Sequence, residues 1–316
     1  LGQQVADQLG KIGKDAFGNI ILDTLNQYNA GEDMICDEAS STSYSVVIAI
    51  PGIDRVFLHH SGANDTFVAD DIDFQKVEEA SLFHFGYPPL MEALYANEGE
   101  GLMQLMQRVQ EKGAATSLDL AAVDPNARAG KIRWDIILEK TLPYVDFFVP
   151  SIEEICFMID RDKFEELQVR AHGGDITDVL DIEKDVKPLA EKCMKLGCKV
   201  LLLKCGAKGM YLQTASKEKL SQISGRIELD ADAWADGSIF ERSYVPEKIL
   251  SGTGAGDTSI AAFLTAVLQK DTPDMCLHLA AATGASCVAA YDALSGLKPL
   301  DELRDKIEKG WEKTCL

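Results

Sequence analysis

The sequence has little basic charge, and this scarcity limits the partners that it can bind. Its 316 residues contain 31 lysines and arginines against 51 aspartates and glutamates, so the formal net charge is −20. The basic residues form no cluster that could follow a phosphate backbone, which argues against nucleic acid and anionic membranes as partners. A small anionic ligand stays compatible with this charge, because backbone amides and one or two local cations can bind a phosphate.

Metal-binding patterns, disulfide patterns and long apolar runs are also missing. The eight cysteines include no C-x-x-C pair, and the five histidines include no H-x-x-x-H or H-x-x-E-H arrangement. We therefore expect reduced thiols, with neither a zinc site nor a disulfide framework. No apolar run approaches the length that spans a bilayer, and the first residues lack the pattern of a signal peptide. These absences predict a cytoplasmic protein.

Over most of the chain, amphipathic helices alternate with short apolar strands. The apolar runs expected to form strands are AATSLDLA (114–121), VDFFVP (145–150) and CKVLLLK (198–204). Helices are expected around 102–109, from Ser151 onwards, over 182–196 and over most of the last third of the chain. This alternation predicts an α/β protein whose parallel sheet is covered by helices on both faces.

One region lacks the helix that this alternation requires. Residues 41–65 hold two β-type runs around Pro51 and Gly52, which form a turn signal. We predict an antiparallel hairpin that acts as a lid or an interface element, and the alternative is an edge extension of the main sheet. The predicted domains are a main α/β domain over 1–35 and 66–316 and a β-hairpin lid over 36–65.

The segment SGTGAGDTS (251–259) combines three glycines with one aspartate just before an apolar helix. Its spacing differs from a Rossmann G-x-G-x-x-G loop, and a Walker A loop has lysine where Asp257 stands. A purely structural turn is the simplest alternative. In the functional interpretation, the backbone N–H groups of Gly254, Ala255 and Gly256 form an anion hole at the helix start, and Asp257 takes the proton of an attacking hydroxyl. This interpretation predicts phosphoryl transfer.

The sequence resembles the ribokinase, or PfkB, family of carbohydrate kinases, whose late signature D-T-x-G-A-G-D precedes a helix. SGTGAGD matches the last five positions of that signature, Thr253 to Asp257. The resemblance implies a three-layer α/β/α ribokinase-like fold with a mostly parallel central sheet and a small β lid. It also implies an ATP-dependent kinase that uses Mg²⁺, with Asp257 as the catalytic base and Gly254, Ala255 and Gly256 as the anion hole.

Other segments are similar to the family in the same order along the chain. They are GKIGKDAFGNIILDTLN (10–26), similar to the end of the first βαβ unit; FLHHSGAND (57–65), similar to the returning lid strand; SLDLAAVDPNAR (117–128), similar to a strand that ends in a substrate-side acid; VDFFVPSIEE (145–154), similar to the N-x-x-E segment associated with magnesium and phosphate; LLLKCGAKG (201–209), similar to a strand and turn that contact the nucleotide; and YDALSGL (291–297), similar to the closing loop near the nucleotide. The resemblance therefore covers nearly the whole chain.

The resemblance implies a ligand for each further site residue. Those implied to contact the sugar are Gly62, Asn64, Gly86 and Asp119, those implied to contact the nucleotide are Lys204, Gly206, Gly209, Thr253 and Gly284, and Glu154 is implied to act at magnesium. The residues alone leave alternatives open. Glu154 can be an ordinary acid at a helix start, Gly206 and Gly209 can simply turn the chain, and Gly284 can serve the packing of two helices.

Three departures from the family pattern affect these expectations. Ser151 replaces the asparagine of N-x-x-E, which leaves Glu154 to act through magnesium-bound water. Ser251 replaces an aspartate that often binds a monovalent cation, so a potassium site is in question. The family's first strand, with its substrate-binding aspartate and Gly-Gly motif, has no match. We expect that this strand was removed by truncation, because its loss would expose apolar neighbours and unpaired backbone groups.

The resulting expectation is an ATP-dependent kinase that phosphorylates a hydroxyl group of a small sugar or sugar acid. A nucleoside kinase of the same fold is one alternative, and a kinase-like binding or regulatory protein that has lost transfer is another. The expected partners are the sugar-like substrate, ATP and a second copy of the chain that binds through the lid.

Overall fold

The computed structural model describes residues 7–48 and 56–315, and its strands follow the chain in short segments. They are β1 (Gly10–Gly13), β2 (Met34–Asp37), β3 (Tyr44–Ile48), β4 (Val56–His60), β5 (Leu82–Phe85), β6 (Ala115–Leu118), β7 (Phe147–Phe148), β8 (Val200–Lys204), β9 (Gly209–Thr214) and β10 (Ser238–Arg242). The three strands predicted in the middle of the chain are confirmed as β6, β7 and β8, although each is shorter than its apolar run.

Six of these strands form the central sheet, in the order β10-β9-β8-β7-β6-β5. The four strands from β5 to β8 run parallel to one another, as predicted for strands that alternate with helices. The return strands β9 and β10 pair antiparallel at one side of the sheet. The sheet is therefore mostly parallel, and the carboxyl ends of β5 to β8 lie at one common edge.

Helices connect the strands and fill most of the last third of the chain. They are α1 (Ala16–Asn26), α2 (Phe74–Glu79), α3 (Glu92–Glu111), α4 (Trp134–Thr141), α5 (Ile152–Ile159), α6 (Arg161–Ala171), α7 (Lys187–Leu196), α8 (Lys217–Leu220), α9 (Ala231–Trp234), α10 (Ala255–Leu268), α11 (Pro273–Cys287) and α12 (Leu300–Glu308). Ser151 caps α5 and Thr272 caps α11 through side-chain hydrogen bonds, and α5 begins where the sequence predicted.

Two hydrophobic clusters cover the two faces of the central sheet. On β8, the side chains of Leu201 and Leu203 belong to one cluster, and those of Val200 and Leu202 belong to the other. The first cluster contains apolar residues of α3 to α7, and the second contains those of α10 and α11. Because every second residue of a strand points to the same face, a continuous apolar run is buried on both sides. The predicted three-layer α/β/α architecture is confirmed.

Two small sheets lie outside the central sheet. β1 and β2 pair in parallel around α1, so residues 10–37 form a βαβ unit, whereas residues 10–26 were expected to form the end of such a unit. β3 and β4 pair antiparallel, with Tyr44 opposite His60, so the two strands of the predicted hairpin are confirmed. Pro51 and Gly52, the expected turn, lie outside the described residues. The predicted domain boundary between residues 35 and 36 falls inside β2, so a boundary that respects this strand lies after Asp37.

Two expected absences can be compared with the described residues. All eight cysteines are free thiols there, six of them buried. Within the same residues, no helix has both the length and the apolar character needed to cross a membrane.

Candidate active site

Four neighbouring strands each deliver a polar side chain to the same edge of the central sheet. Tyr87 follows β5, Asp119 follows β6, Glu154 lies in the first turn of the helix after β7, and Lys204 ends β8. In sheets of parallel strands, the carboxyl edge is where ligands bind. The sequence predicted a ligand role for three of these residues but assigned none to Tyr87.

The glycine loop meets this edge through the first turn of α10. Gly254 is the N-cap residue of α10 and has φ +78°, and a Cβ at this position would lie 2.2 Å from Cβ of Ala293. Residues 255–257 form the first helical turn, where backbone N–H groups have no acceptor within the helix and the helix dipole is positive, although the N–H of Ala255 donates to the carbonyl oxygen of Gly252 at 3.3 Å. A Cβ on Gly256 would lie 3.7 Å from Nζ of Lys204. The predicted anion hole therefore borders the side chain of Lys204.

Asp257 is exposed in this first turn and forms a hydrogen bond with Tyr87. The Tyr87 hydroxyl donates to Oδ1 of Asp257. Burial raises the pKa of Tyr87 well above its ordinary value, and the carboxylate of Asp257 raises it further. The phenol therefore stays protonated and acts as a donor. Because 170 residues separate Tyr87 from Asp257, no local sequence pattern could have revealed this pair.

Asp119 and Lys204 form an ion pair at the centre of the site. Nζ of Lys204 lies 2.9 and 3.1 Å from the two carboxylate oxygens of Asp119. The Asp119 side chain is 2% exposed and that of Lys204 is 12% exposed. Burial raises the pKa of Asp119, the nearby Glu154 carboxylate raises it further, and Lys204 opposes both effects. Asp119, expected at the sugar, and Lys204, expected at the nucleotide, thus contact each other.

Glu154 and Ser151 form a capping box at the start of α5. The backbone N–H of Ser151 donates to Oε2 of Glu154 at 2.7 Å, and the N–H of Glu154 donates to Oγ of Ser151 at 3.3 Å. Ser151, which replaces the family asparagine, therefore has a local structural role. Oε2 is engaged in the cap, and the Glu154 carboxylate still faces Asp119 and Tyr87 closely enough to raise their pKa values.

The donor set is compatible with a nucleotide-bound magnesium ion. Within the described residues, no cluster of three or more His, Cys, Asp or Glu side chains could hold a metal ion without other ligands. Mg²⁺ commonly binds through one or two carboxylates, several waters and substrate phosphates, so a dedicated protein cage is not required. Glu154 fits such a site because its capping bond occupies Oε2 and leaves Oε1 for a water bound to the ion.

His84 and Gly86 line the β5 side of the site. Nδ1 of His84 and Oγ of Ser117 lie 2.9 Å apart. Part of the histidine is open to solvent, but the surrounding protein restricts its hydration and lowers its pKa to about 4, and Lys204 acts in the same direction. The ring is therefore neutral near pH 7. A Cβ on Gly86 would have only Nε2 of His84 nearby, at 3.9 Å, so a ligand has room to approach there.

Three glycines expected at the nucleotide have structural constraints of their own. A Cβ on Gly206 would lie 2.4 Å from Oγ1 of Thr177, one on Gly209 would lie 2.0 Å from the carbonyl oxygen of Glu241, and one on Gly284 would lie 2.6 Å from Oγ of Ser259. The first contact lets the turn between β8 and β9 approach Thr177, the second lets β9 approach the backbone of β10, and the third serves the packing of α10 against α11. These contacts agree with the structural alternatives, and the nucleotide role of the three glycines stays a prediction.

The remaining expected residues lie at the ends of the hairpin and of the glycine loop. Gly62 and Asn64 belong to a short 3-10 helix after β4, and a Cβ on Gly62 would lie 2.4 Å from the carbonyl oxygen of Ser41, at the base of the hairpin. Thr253 is exposed, and its backbone N–H donates to Oγ of Ser251 at 3.1 Å. Among the described residues, no hydrogen bond connects Asn64 with Asp257 or Asp119.

Comparison with known proteins finds a family model and a curated relative that each match most of the chain. A family model described as pfkB family carbohydrate kinase matches residues 1–299. An uncharacterised sugar kinase from Archaeoglobus fulgidus is 22% identical over 289 residues, which cover 92% of this chain and 93% of that protein.

Two solved structures share the fold at low sequence identity. One is the ribokinase of Arabidopsis thaliana complexed with ribose and ATP, with a TM-score of 0.65, 21% identity and coverage of 94% of this chain and 80% of that one. The other is a putative ribokinase II from E. coli in complex with ATP and Mg²⁺, with a TM-score of 0.66, 19% identity and coverage of 95% and 82%.

Proposed function

The chain belongs to the pfkB family of carbohydrate kinases, and on this premise we propose that it transfers the γ-phosphoryl group of ATP to a hydroxyl group of a small sugar or sugar acid. The observation that carries the proposal is the first turn of α10. There the backbone N–H groups of residues 254–256 and the carboxylate of Asp257 lie on one loop, and this loop borders Lys204.

Phosphoryl transfer requires positioning, charge stabilisation and a base, and this loop offers the last two. Asp257 takes the proton of the acceptor hydroxyl as the acceptor oxygen bonds to the γ-phosphorus. The bond from the γ-phosphorus to the bridging oxygen breaks, and ADP leaves. The N–H groups and dipole of α10 stabilise the charge on the transferred group without moving, because they are fixed in the helix start. Lys204 adds a positive charge beside them.

The nucleotide would lie along the C-terminal end of β8 and the N-terminal end of α10. Thr253, Lys204, Gly206, Gly209 and Gly284 are the proposed contacts, and Lys204 is the one with a charged side chain at the loop. Mg²⁺, when bound, supplies positive charge at the β- and γ-phosphate oxygens. Glu154 would hold it through water with the carboxylate oxygen that the cap leaves available.

The sugar would lie on the other side of Asp257, towards Gly86 and the hairpin. Gly62, Asn64 and Gly86 are the proposed neighbours, with Asp119 at the floor of the site. We assign β3 and β4 as a lid whose closure excludes water, so that ATP is not hydrolysed without an acceptor.

The lid is also the proposed dimer contact. Its strands expose several apolar side chains: Val46, Val47, Ile48 and Leu58 are each more than 40% exposed. A monomer at working concentration in sedimentation experiments would exclude this contact.

The proposal is tested by measuring ADP release with ATP and Mg²⁺ against a panel of sugars, sugar acids and nucleosides. Ribose is the first acceptor to test, because a ribokinase with bound ribose shares the fold. Turnover on a sugar or sugar acid supports the proposal, whereas turnover confined to nucleosides favours the nucleoside kinase. ATP binding without turnover on any acceptor favours the regulatory alternative.

A further inference from the structure

Tyr87 has an unfavourable backbone conformation at the edge of the site. Its φ is +65° and its ψ is 40°, in the left-handed region that bulky residues rarely occupy. Pro88 follows it, and a proline further restricts the preceding residue by favouring extended backbone there. Such outliers persist only where the surrounding structure enforces them, and they cluster at functional sites.

The segment that follows holds this conformation in place. Pro88 and Pro89 are buried and begin a single 3-10 turn, and the backbone N–H of Leu90 donates to the carbonyl oxygen of Tyr87 at 2.9 Å. Tyr87 is 37% exposed and belongs to neither of the two hydrophobic clusters, although the protein around its hydroxyl restricts hydration there. The strain therefore has no evident role in building the core.

The conformation directs the phenol to the proposed base. The Tyr87 hydroxyl donates to Oδ1 of Asp257, and among the described residues no hydrogen-bond partner is found for Oδ2. One carboxylate oxygen is thus held by the protein, and the other is available to an acceptor hydroxyl.

The charges around the hydroxyl keep it a donor. Its pKa is raised by burial and by the carboxylates of Asp257, Asp119 and Glu154. The phenol therefore stays protonated, and the hydrogen-bond acceptor that the structure gives it is Asp257.

We propose that Tyr87 is a positioning residue for the phosphoryl-transfer step, whose hydroxyl orients the Asp257 carboxylate so that Oδ2 faces the acceptor. This inference rests on the proposed function, since it requires Asp257 to act as the base. In this proposal, the strained backbone of Tyr87 is retained because it directs the hydroxyl to Asp257.

The first test compares Tyr87→Phe, which removes only the hydroxyl, with Tyr28→Phe as a matched control on an exposed tyrosine near the end of α1. Kinetics are measured with ATP, Mg²⁺ and ribose, or with the panel acceptor of highest turnover. We expect Tyr87→Phe to lower kcat by roughly ten-fold or more while KM for acceptor and ATP stays within about two-fold, because an interaction used only in the transition state is lost. An unchanged kcat, or a change confined to KM, overturns the inference.

A second measurement separates positioning from a structural role. Tyr87→Gly relieves the backbone strain and also removes the phenol. We expect Tyr87→Gly to lower kcat as much as Tyr87→Phe does. We also expect its urea midpoint to be no lower than that of Tyr87→Phe. Clear destabilisation by Tyr87→Gly beyond that of Tyr87→Phe would mean that the ring supports the fold, and would contradict the proposal.

A third measurement uses Asp257 itself. If Tyr87 acts through Asp257, then Tyr87→Phe in an Asp257→Glu background costs less than it does alone, because the displaced carboxylate has already lost its orientation. If Tyr87→Phe lowers kcat by the same factor in both backgrounds, the two residues act independently and the inference is overturned. An Asp257→Asn variant that keeps normal turnover would instead refute the base assignment, so the two failures are distinguishable.

Discussion

Lys204 and Asp119 form a buried ion pair. The sequence predicted that each residue lies at the edge of the sheet, but it did not predict that the two side chains contact each other. Each was expected at a different ligand, and 85 residues separate them along the chain. A side chain at the end of an apolar strand can be located from its motif. The partner that neutralises its charge cannot be located in this way, because parallel strands bring segments that are distant in the sequence to the same edge of the sheet.

The pair gives a prediction for stability. Lys204→Met leaves Asp119 buried without a partner, and we expect it to lower the free energy of unfolding by about 3–5 kcal/mol. Adding Asp119→Asn should recover most of that loss, because the remaining buried group is then neutral. Urea unfolding measures both effects, and Lys14→Met is the control because the Lys14–Glu38 pair is exposed. A double variant no more stable than Lys204→Met would contradict this account.

Asp257 was proposed as the base from the sequence because its motif is contiguous, whereas no role was proposed for Tyr87. The Gly254 to Asp257 segment combines flexible backbone, a helix start and an acid in neighbouring positions, and each feature has a chemical reason. Tyr87 has none of these signals, and the role proposed for it is argued from a backbone angle and from a contact across the site.

At the scale of elements, the first turn of α10 depends on the conformation of Gly254. We expect Gly254→Ala to lower kcat by roughly ten-fold or more, because a Cβ would meet Cβ of Ala293 at 2.2 Å and the loop would have to move away from the position proposed for anion binding. Steady-state ADP release is the measurement.

Gly173→Ala is the matched control for this substitution. Gly173 also has positive φ, at +85°, but a Cβ there would meet nothing within 4 Å. Because alanine disfavours left-handed backbone, this variant should lower the free energy of unfolding by about 1–2 kcal/mol and leave kcat unchanged. Normal turnover in Gly254→Ala would exclude a role for the loop geometry.

The base of the hairpin is attached to α1 through Asp15. Its carboxylate accepts hydrogen bonds from the backbone N–H of Thr42 at 2.8 Å and from that of Gly18 at 2.9 Å, and these bonds lower the pKa of Asp15 below the ordinary 3.8. A lowered folded-state pKa adds stability that is present above the unfolded pKa and is lost as the pH falls through the folded pKa.

We therefore predict a pH-dependent difference between the wild type and Asp15→Asn. The variant should be less stable than the wild type near pH 7, and the difference should shrink as the pH falls below 3.8. Urea unfolding at several pH values measures this, and Asp23→Asn on the same helix is the control because that side chain is exposed. A difference that is constant with pH would rule out the charge of Asp15 as its source.

Elements with strong periodicity were predicted from the sequence, and those with weak periodicity were not. The apolar runs of β6, β7 and β8 and the capped starts of α5 and α11 follow from local chemistry. In the polar segment 215–244, whose hydrophobic periodicity is weak, no bounds were predicted for β10 or for the short helices α8 and α9. The antiparallel direction of β9 depends on the turn at Gly206 to Gly209 rather than on any hydrophobic pattern.

At the scale of the whole molecule, the net charge of −20 opposes the approach of an anionic nucleotide. Positive potential therefore has to be local, and the described site offers it at the N-terminus of α10, beside the Lys204 ammonium group, whose charge Asp119 partly balances. This explains how a strongly acidic chain can belong to a family of kinases. The fold class and the order of motifs were predictable from the sequence, whereas the meeting of four strand ends around one loop required the structure.

The central claim is that Asp257 is the base for phosphoryl transfer, and Asp257→Asn tests it most directly. The measurement is the rate of ADP release with ATP, Mg²⁺ and the preferred acceptor, with ATP binding followed by thermal stabilisation of the same samples. The account predicts a turnover lower by roughly 10²–10⁴-fold with ATP binding near normal, because the amide loses the proton acceptor but keeps the shape of the side chain. Turnover equal to that of the wild type would contradict it.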